Sequence, residues 1–337
     1  MKRINLFYFL FLLIFSQLGS LYSQEEYLVN NSRFLQKSNP SYFGYNSLLK
    51  VGVLYNSLAL NAFERMNNKY IFGTISFDNQ NFSLGVDINS FKMEKSGYGQ
   101  TIANITYVYK LQLDNYLFFL PAITGGLASK QFNPDNLTFG DQLSIGTGQL
   151  LESNDPLASI ITNANYFDLG ASFLLHSEEF MAGLTIKHIN KPNDSFNKED
   201  DTSEKPIQIG IQGAYEFDIN PYERRYLPRY SFLMVYLNAI KRQNSIHMYL
   251  SQELQLGEFS VGLSQQAGSS GLNNLGVSFG LSAENFDFGA SYNFNFFNKP
   301  GTVFAPSIFE LYVTFDFSIY RRNQRGLFKR IQIDNYY

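Results

Sequence analysis

The sequence predicts an all-β fold, a transmembrane outer-membrane β-barrel of about 14 antiparallel strands. Three observations lead there. Apolar and polar residues alternate with a period of two over many segments. Several segments run ten residues or longer; a membrane strand needs about 9–11, whereas sandwich strands average about five or six. The connections alternate between short and long, as they do at the two ends of a membrane barrel.

Composition agrees and excludes much else. The 337 residues include 33 Phe and 23 Tyr but no Trp and no Cys, and 16% are charged, against about 25% in an average chain. That is too apolar and too patterned for disorder. A net charge of −3 gives no basic field for nucleic acid. Without cysteine there are no disulfides, zinc thiolates, iron–sulfur clusters, cysteine nucleophiles or thiol-linked lipid anchors.

Residues 1–23 read as a secretory signal peptide. Lys2 and Arg3 are basic, Leu6 to Phe15 is an apolar run, and Gly19, Ser20 and Ser23 are small. Cleavage after Ser23 would leave Gln24 first. Residues 24–48 follow as a periplasmic or plug segment, 49–320 as the barrel, and 321–337 as a basic periplasmic tail. Export and a barrel together imply the outer membrane of a Gram-negative cell.

The strands fall at about 49–56, 69–77, 82–88, 98–111, 115–130, 165–175, 179–189, 207–212, 230–241, 244–256, 257–266, 275–281, 286–296 and 309–317. The cleanest is Phe286 to Phe296. There Phe286, Phe288, Ala290, Tyr292, Phe294 and Phe296 share one face, and Asp287, Gly289, Ser291, Asn293 and Asn295 share the other. Phe309, Leu311, Val313, Phe315 and Phe317 alternate in the same way with Glu310, Tyr312, Thr314, Asp316 and Ser318. A membrane barrel turns the apolar face to lipid and the polar face to the lumen. Lys50, Asp87, Asp168, Lys187, Glu216, Glu253, Asp287, Glu310 and Asp316 fall on the polar faces. A sandwich core would bury that many charges only at heavy desolvation cost. Gly and Ser on the same faces leave room for larger neighbours.

Among the connections, Asp78–Gln80, Leu113–Asn115, His176–Glu178, Leu256–Gly257 and Glu284–Asn285 are short and Asn220–Arg229 is longer; all belong to the periplasmic end. The opposite end holds 57–68, 92–97, 131–164, 190–205, Lys241–Gln243, 267–272 and 297–307. The segment Gln131–Asn163 is too apolar for a solvated tether, and reads as a lumen plug, an outer cap or a docking element.

Three stretches carry a likeness to a known family. Asn39-Pro40-Ser41-Tyr42-Phe43-Gly44 resembles the Asn-Pro-Ala-Tyr-x-Gly segment that follows the signal peptide in the PorP/SprF family, with Ser41 where Ala is usual. Gly183-Leu184-Thr185-Ile186-Lys187-His188-Ile189-Asn190-Lys191-Pro192-Asn193 resembles its strand-to-loop segment. Phe309-Glu310-Leu311-Tyr312-Val313-Thr314-Phe315-Asp316-Phe317 resembles its closing strand. The resemblance implies an outer-membrane accessory protein of the Bacteroidota type IX secretion system that helps export or anchor particular surface proteins, such as gliding adhesins. Its implied partners are secretion components in periplasm and outer membrane, the secreted surface protein itself, and outer-membrane lipid. The alternative is a passive pore or hydrophobic-solute transporter; a third reading is a support for another barrel.

Candidate sites are sparse. Lys187, His188 and Asn190 form a candidate latch that orients the 190–205 loop; the plainer reading of His188 is an interfacial polar residue at a strand end. The loop NKPNDSFNKEDDTSEK carries the acidic run Glu199, Asp200 and Asp201. It lacks the turn glycine of a calcium loop and reads as a solvated outer loop. Arg224, Arg225 and Arg229, with Tyr222 and Tyr226, form a candidate partner-binding face with Arg321, Arg322 and Arg325 and with Lys329 and Arg330 of the tail. Ordinary snorkelling charge is the plainer reading. His176, His188 and His247 lie on different strands without metal-ligand spacing. No nucleophile elbow, phosphate loop or metalloprotease helix is present; Ser245 and His247 share the lumen face. The sequence therefore implies no enzyme and no cofactor.

Overall fold

The computed structural model describes residues 32–45, 50–59, 64–77, 80–133, 140–142, 153, 162–177, 179–196, 204–220, 225–228, 231–268, 273–283, 285–295 and 307–317. The expected signal peptide and the 321–337 tail lie outside them.

Nearly every strand pairs antiparallel with the strands before and after it in sequence. In chain order the strands are β1 (Lys50–Ala59), β2 (Arg65–Phe77), β3 (Phe82–Met93), β4 (Tyr98–Tyr109), β5 (Leu111–Asp114), β6 (Leu117–Phe132), β7 (Thr162–His176), β8 (Phe180–Lys187), β9 (Gln208–Asp218), β10 (Ser231–Arg242), β11 (Ser245–Leu256), β12 (Phe259–Gly268), β13 (Asn273–Ala283), β14 (Phe286–Asn295) and β15 (Ser307–Asp316). The first strand pairs with the last, Lys50 opposite Asp316 and Ala59 opposite Ser307. The sheet is thereby closed, as lipid requires, since an open edge would leave backbone groups without partners.

Strands β4 and β5 are two parts of one stave, both paired to β6, so fifteen strands make fourteen staves. The sequence put an unbroken strand at 98–111. The break comes at Lys110, whose amide donates to the Asn81 carbonyl at 2.7 Å in continuation of the β3–β4 register, while pairing to β6 resumes in the register of β4 with Leu111 opposite Phe119. All four residues of β5 are exposed; with solvent on both faces there, the alternation that marks a strand fades.

The same effect explains the connection expected at 57–68. β1 runs on to Ala59 and β2 starts at Arg65. Beyond the lipid band the outer face becomes polar. Tyr55 donates to Asn67 at 3.0 Å, and the Asn67 amide donates to Glu94 at 2.6 Å.

The faces are inverted relative to a soluble sandwich. Ile105, Ile123, Leu127, Leu263 and Phe279 point outward and are exposed, whereas Asn293, Glu310, Asp287 and Ser291 are buried inside. Lumen carboxylates are met by neighbouring hydroxyls: Ser282 and Thr314 donate to Asp287 at 2.8 and 3.2 Å. Three turns at one end are two residues long or three (115–116, 177–179, 257–258), while 133–161 and 188–207 lie at the other. These are called the turn end and the loop end below. Both chain termini of the barrel, at Lys50 and Asp316, open at the turn end.

The lumen is not uniformly polar. Leu54, Tyr70, Phe72, Tyr236, Tyr249 and Tyr312 point into it and form its buried core with Phe34 and Phe43. Those two rings come from the segment that precedes β1.

Candidate functional site

That segment, residues 32–45, lies inside the barrel. It comprises a helical turn at Leu35–Ser38 and a 3-10 turn at Pro40–Gly44. Proline at the start of the 3-10 turn fixes φ and has no N–H to lose. Asn39 caps the turn, its side-chain oxygen accepting from the Ser41 amide at 3.0 Å.

Both ends of the segment approach the turn end and its apex points the other way. At one foot, Arg33 forms a buried ion pair with Glu253 and donates to Ser260; Ser32 donates to Glu253 at 3.3 Å. At the other foot, the Tyr45 ring meets His176 edge-on at 5.0 Å. At the apex, the Lys187 ammonium donates to the Lys37 carbonyl at 3.3 Å. The segment is therefore an arch that plugs the lumen at mid-height.

The three stretches that carry the family resemblance meet here. The first is the plug itself. Asn39 donates to the Phe173 carbonyl at 3.0 Å and to Gln212 at 3.2 Å. Ser41 is fully buried, and both its amide and its hydroxyl donate to the Ser172 hydroxyl, at 3.0 and 2.8 Å. Thr74 donates to the Phe43 carbonyl at 3.0 Å. The second stretch forms a cradle: Thr185 donates to the Ser38 carbonyl at 3.2 Å, Lys187 holds Lys37, and a Cβ on Gly183 would collide with the Asn39 amide. The third supplies Tyr312, which meets Phe34 edge-on at 5.6 Å, and Glu310, which is fully buried and accepts from Ser291 at 3.3 Å. Gly85 completes the socket, since any side chain there would occupy the Phe43 ring's place.

Of the candidate latch residues, Lys187 turns inward to the plug. His188 and Asn190 turn to β7. β8 pairs with β7 only over Ala171–His176, so the upper part of β7 lacks a strand partner on that side. His188 adopts a left-handed φ of 59°, uncommon for a non-glycine residue, and this bends the chain back. His188 Nδ1 then lies 2.9 Å from Asp168. Asn190 donates to the Phe167 carbonyl at 2.7 Å and accepts from the Leu169 amide at 3.0 Å.

The loop beyond is not wholly solvated, contrary to the sequence expectation. Asp194 forms an ion pair with Lys130 and lies 3.7 Å from Lys205. Phe196 packs on Tyr98 and Phe132, each at 6.5 Å. The loop's first part thus leans across the mouth, drawn by a buried lysine that the hydrophilic sequence did not reveal. Lys130 and Lys205 both lie over the Tyr166 ring, at 5.9 and 5.1 Å. Glu199, Asp200 and Asp201 lie outside the described residues.

Of the candidate basic face, Arg225 is exposed at the turn end. Arg224, Arg229, Arg321, Arg322 and Arg325 lie outside the described residues. So does most of 133–161; within it, Ser153 donates to Asp141 at 2.9 Å. Whatever that connection does, the mid-lumen plug of the described structure comes from the other end of the chain.

The family model for "Type IX secretion system membrane protein PorP/SprF" matches residues 22–315. No curated protein matches the chain. Among solved structures, similarity extends to the outer membrane protein Omp33 of Acinetobacter baumannii, at 10% identity over 81% of this chain and 100% of that one, with a TM-score of 0.45. It also extends to a TodX deltaS2S3 mutant, a monoaromatic hydrocarbon channel, at 10% identity over 89% and 97%, with a TM-score of 0.49. A porin mutant from Rh. blastica follows at 10% identity over 80% and 99%, with a TM-score of 0.34. The barrel is established by the chain's own closed strand pairing, and the match over nearly the whole length settles the rest: the chain belongs to the PorP/SprF family of type IX secretion system membrane proteins.

Proposed function

We propose that the protein is an outer-membrane accessory of type IX secretion that helps export, or anchors at the cell surface, a restricted set of secreted proteins, gliding adhesins among them. The observation that carries this reading, beyond family membership, is the occupied lumen. A passive pore needs a continuous path, and here the family's own characteristic residues fill the path at mid-height. Export is driven by other components in this reading. In this reading the turn end faces the periplasm. Arg225, with Arg224, Arg229 and the arginines of the tail, meets the secretion machinery there, and the loop end faces cargo.

The test is a quantitative comparison of surface and secreted proteins with and without the gene. Loss of one or a few large secreted proteins supports the reading. Loss of all type IX cargo makes the protein part of the core machine. An unchanged surface proteome with altered solute uptake returns the transporter alternative.

A further inference from the structure

The barrel wall steps down at one seam. β7 pairs with β6 from Thr162, opposite Phe132, to His176, opposite Phe118. On its other side the β8 ladder stops at Ala171, opposite Ile186. β8 ends at Lys187 and β9 begins at Gln208. The loop-end half of β7 therefore stands above its neighbours with one edge toward the gap.

The alternation of backbone groups says what that edge offers. The Leu169 amide and carbonyl both face the gap, where the Asn190 side chain and the Ile189 amide meet them, each at 3.0 Å. Residues two apart on a strand point their backbone groups the same way, so Asn163, Asn165 and Phe167 face the gap too. Asn190 also reaches the Phe167 carbonyl. Beyond it, no strand among the described residues pairs with Asn163 or Asn165 on this side. The outward side chains change there from Leu127 and Phe167 to Ser129 and Asn165, all exposed, which places this part of the edge above the lipid band. An edge in water is a template for another strand.

Asn190 shows what fits. Its carboxamide has the donor and acceptor of a peptide group, and it meets Leu169 and Phe167 as the backbone of an added strand would. The chain's own course turns away: His188 and Lys191 adopt left-handed φ values of 59° and 42°, and Asp194 is held over the mouth by Lys130 and Lys205. A second copy is unsuited. A two-fold axis along the membrane normal would set two β7 edges side by side in parallel, with N–H against N–H at the same height, and no ladder forms.

We propose that the edge of β7 at residues 163–167 is a docking strand, to which an exported polypeptide adds an extended segment antiparallel to β7. The inference rests on the reading of the protein as a cargo partner, and adds how the cargo is held: through its backbone.

The experiment compares the gene deletion with Asn165→Pro and Asn165→Ala in cells, and reads the surface abundance of the proteins that the deletion removes. Proline at 165 deletes an N–H that faces the gap and leaves the bonds to β6 intact. Asn165→Pro should lower that abundance by about tenfold, the worth of one strong hydrogen bond, while Asn165→Ala leaves it unchanged. A retained heat-modifiable band on a detergent gel verifies folding; Asn163→Pro, which deletes the next such N–H, serves if Asn165→Pro does not fold. Unchanged abundance in the folded proline variant overturns the proposal and leaves the secretion reading standing. Equal loss in Asn165→Ala overturns it as well, since a side chain would then be what is recognised. A deletion that removes no surface protein defeats the secretion reading, and the docking strand with it. Hydrogen exchange of the full mature protein in detergent separates the other occupants. Fast exchange of the Asn165 and Phe167 amides supports the open edge. Protection at every protein concentration means that the chain covers its own edge, and protection only at high concentration means a second copy; either result overturns the proposal.

Discussion

Ser41 shows how much depends on single side chains in the plug. It is fully buried, and its amide and hydroxyl share one acceptor on β7. Because the chain has no cysteine, Ser41→Cys gives a single thiol that reports on the plug. It should resist maleimide in the folded protein and react when Gly85→Leu is added, since leucine displaces Phe43 from its socket; equal labelling of both proteins would refute the socket. The Arg33–Glu253 pair is a second measure. Arg33→Gln leaves a buried carboxylate without its cation, which costs roughly 3–5 kcal/mol. The temperature at which the compact band is lost on a detergent gel should fall, and Arg33→Gln/Glu253→Gln should recover most of the loss. The sequence exposed Asn39, Gly183, Lys187 and Glu310 as parts of three recognisable stretches. It did not reveal that the three stretches meet, because contacts such as Ser41 to Ser172 and Arg33 to Ser260 join residues 131 and 227 positions apart and no local pattern encodes such distances.

At the scale of elements, legibility followed the solvent. Strands such as β14 and β15 were readable because lipid lies on one side and a polar lumen on the other, which forces a period of two. Strand ends were not readable where both faces meet water, as at Asn67 and along β5. The helical turns of the plug were missed as structure because four or five residues carry no periodic signal. Faces also differ in tolerance. Leu263, outward on β12, should resist Leu263→Arg by about 2–4 kcal/mol if it sits near the bilayer midplane. Ser264→Asn, on the lumen side of the same strand, should cost far less. Refolding yields into lipid vesicles under increasing urea would separate the two, and equal losses would contradict the assignment of faces.

For the whole molecule, the barrel acts as a wall and the plug as part of its core. Phe34 meets Tyr70, Phe72 and Tyr312 within about 6 Å, so the lumen holds an apolar centre that alternation alone assigns to lipid-facing residues. Removing residues 24–45 should turn a sealed barrel into a conducting one in planar bilayers, with the intact protein silent under the same voltage. Intact protein that conducts as well as the deletion would restore the pore reading.

The plug also constrains the order of assembly. It emerges from the chain before any strand, yet it is gripped by β2, β3, β7, β8, β9, β11, β12 and β15, and the seam between β1 and β15 is the last to become available. Once that seam closes, the arch with its ion-paired foot can be threaded in only by parting strands again. The barrel must therefore wrap around a plug already held inside the forming sheet. Loss of the plug's contacts should slow seam closure, in addition to opening the lumen of those barrels that do close.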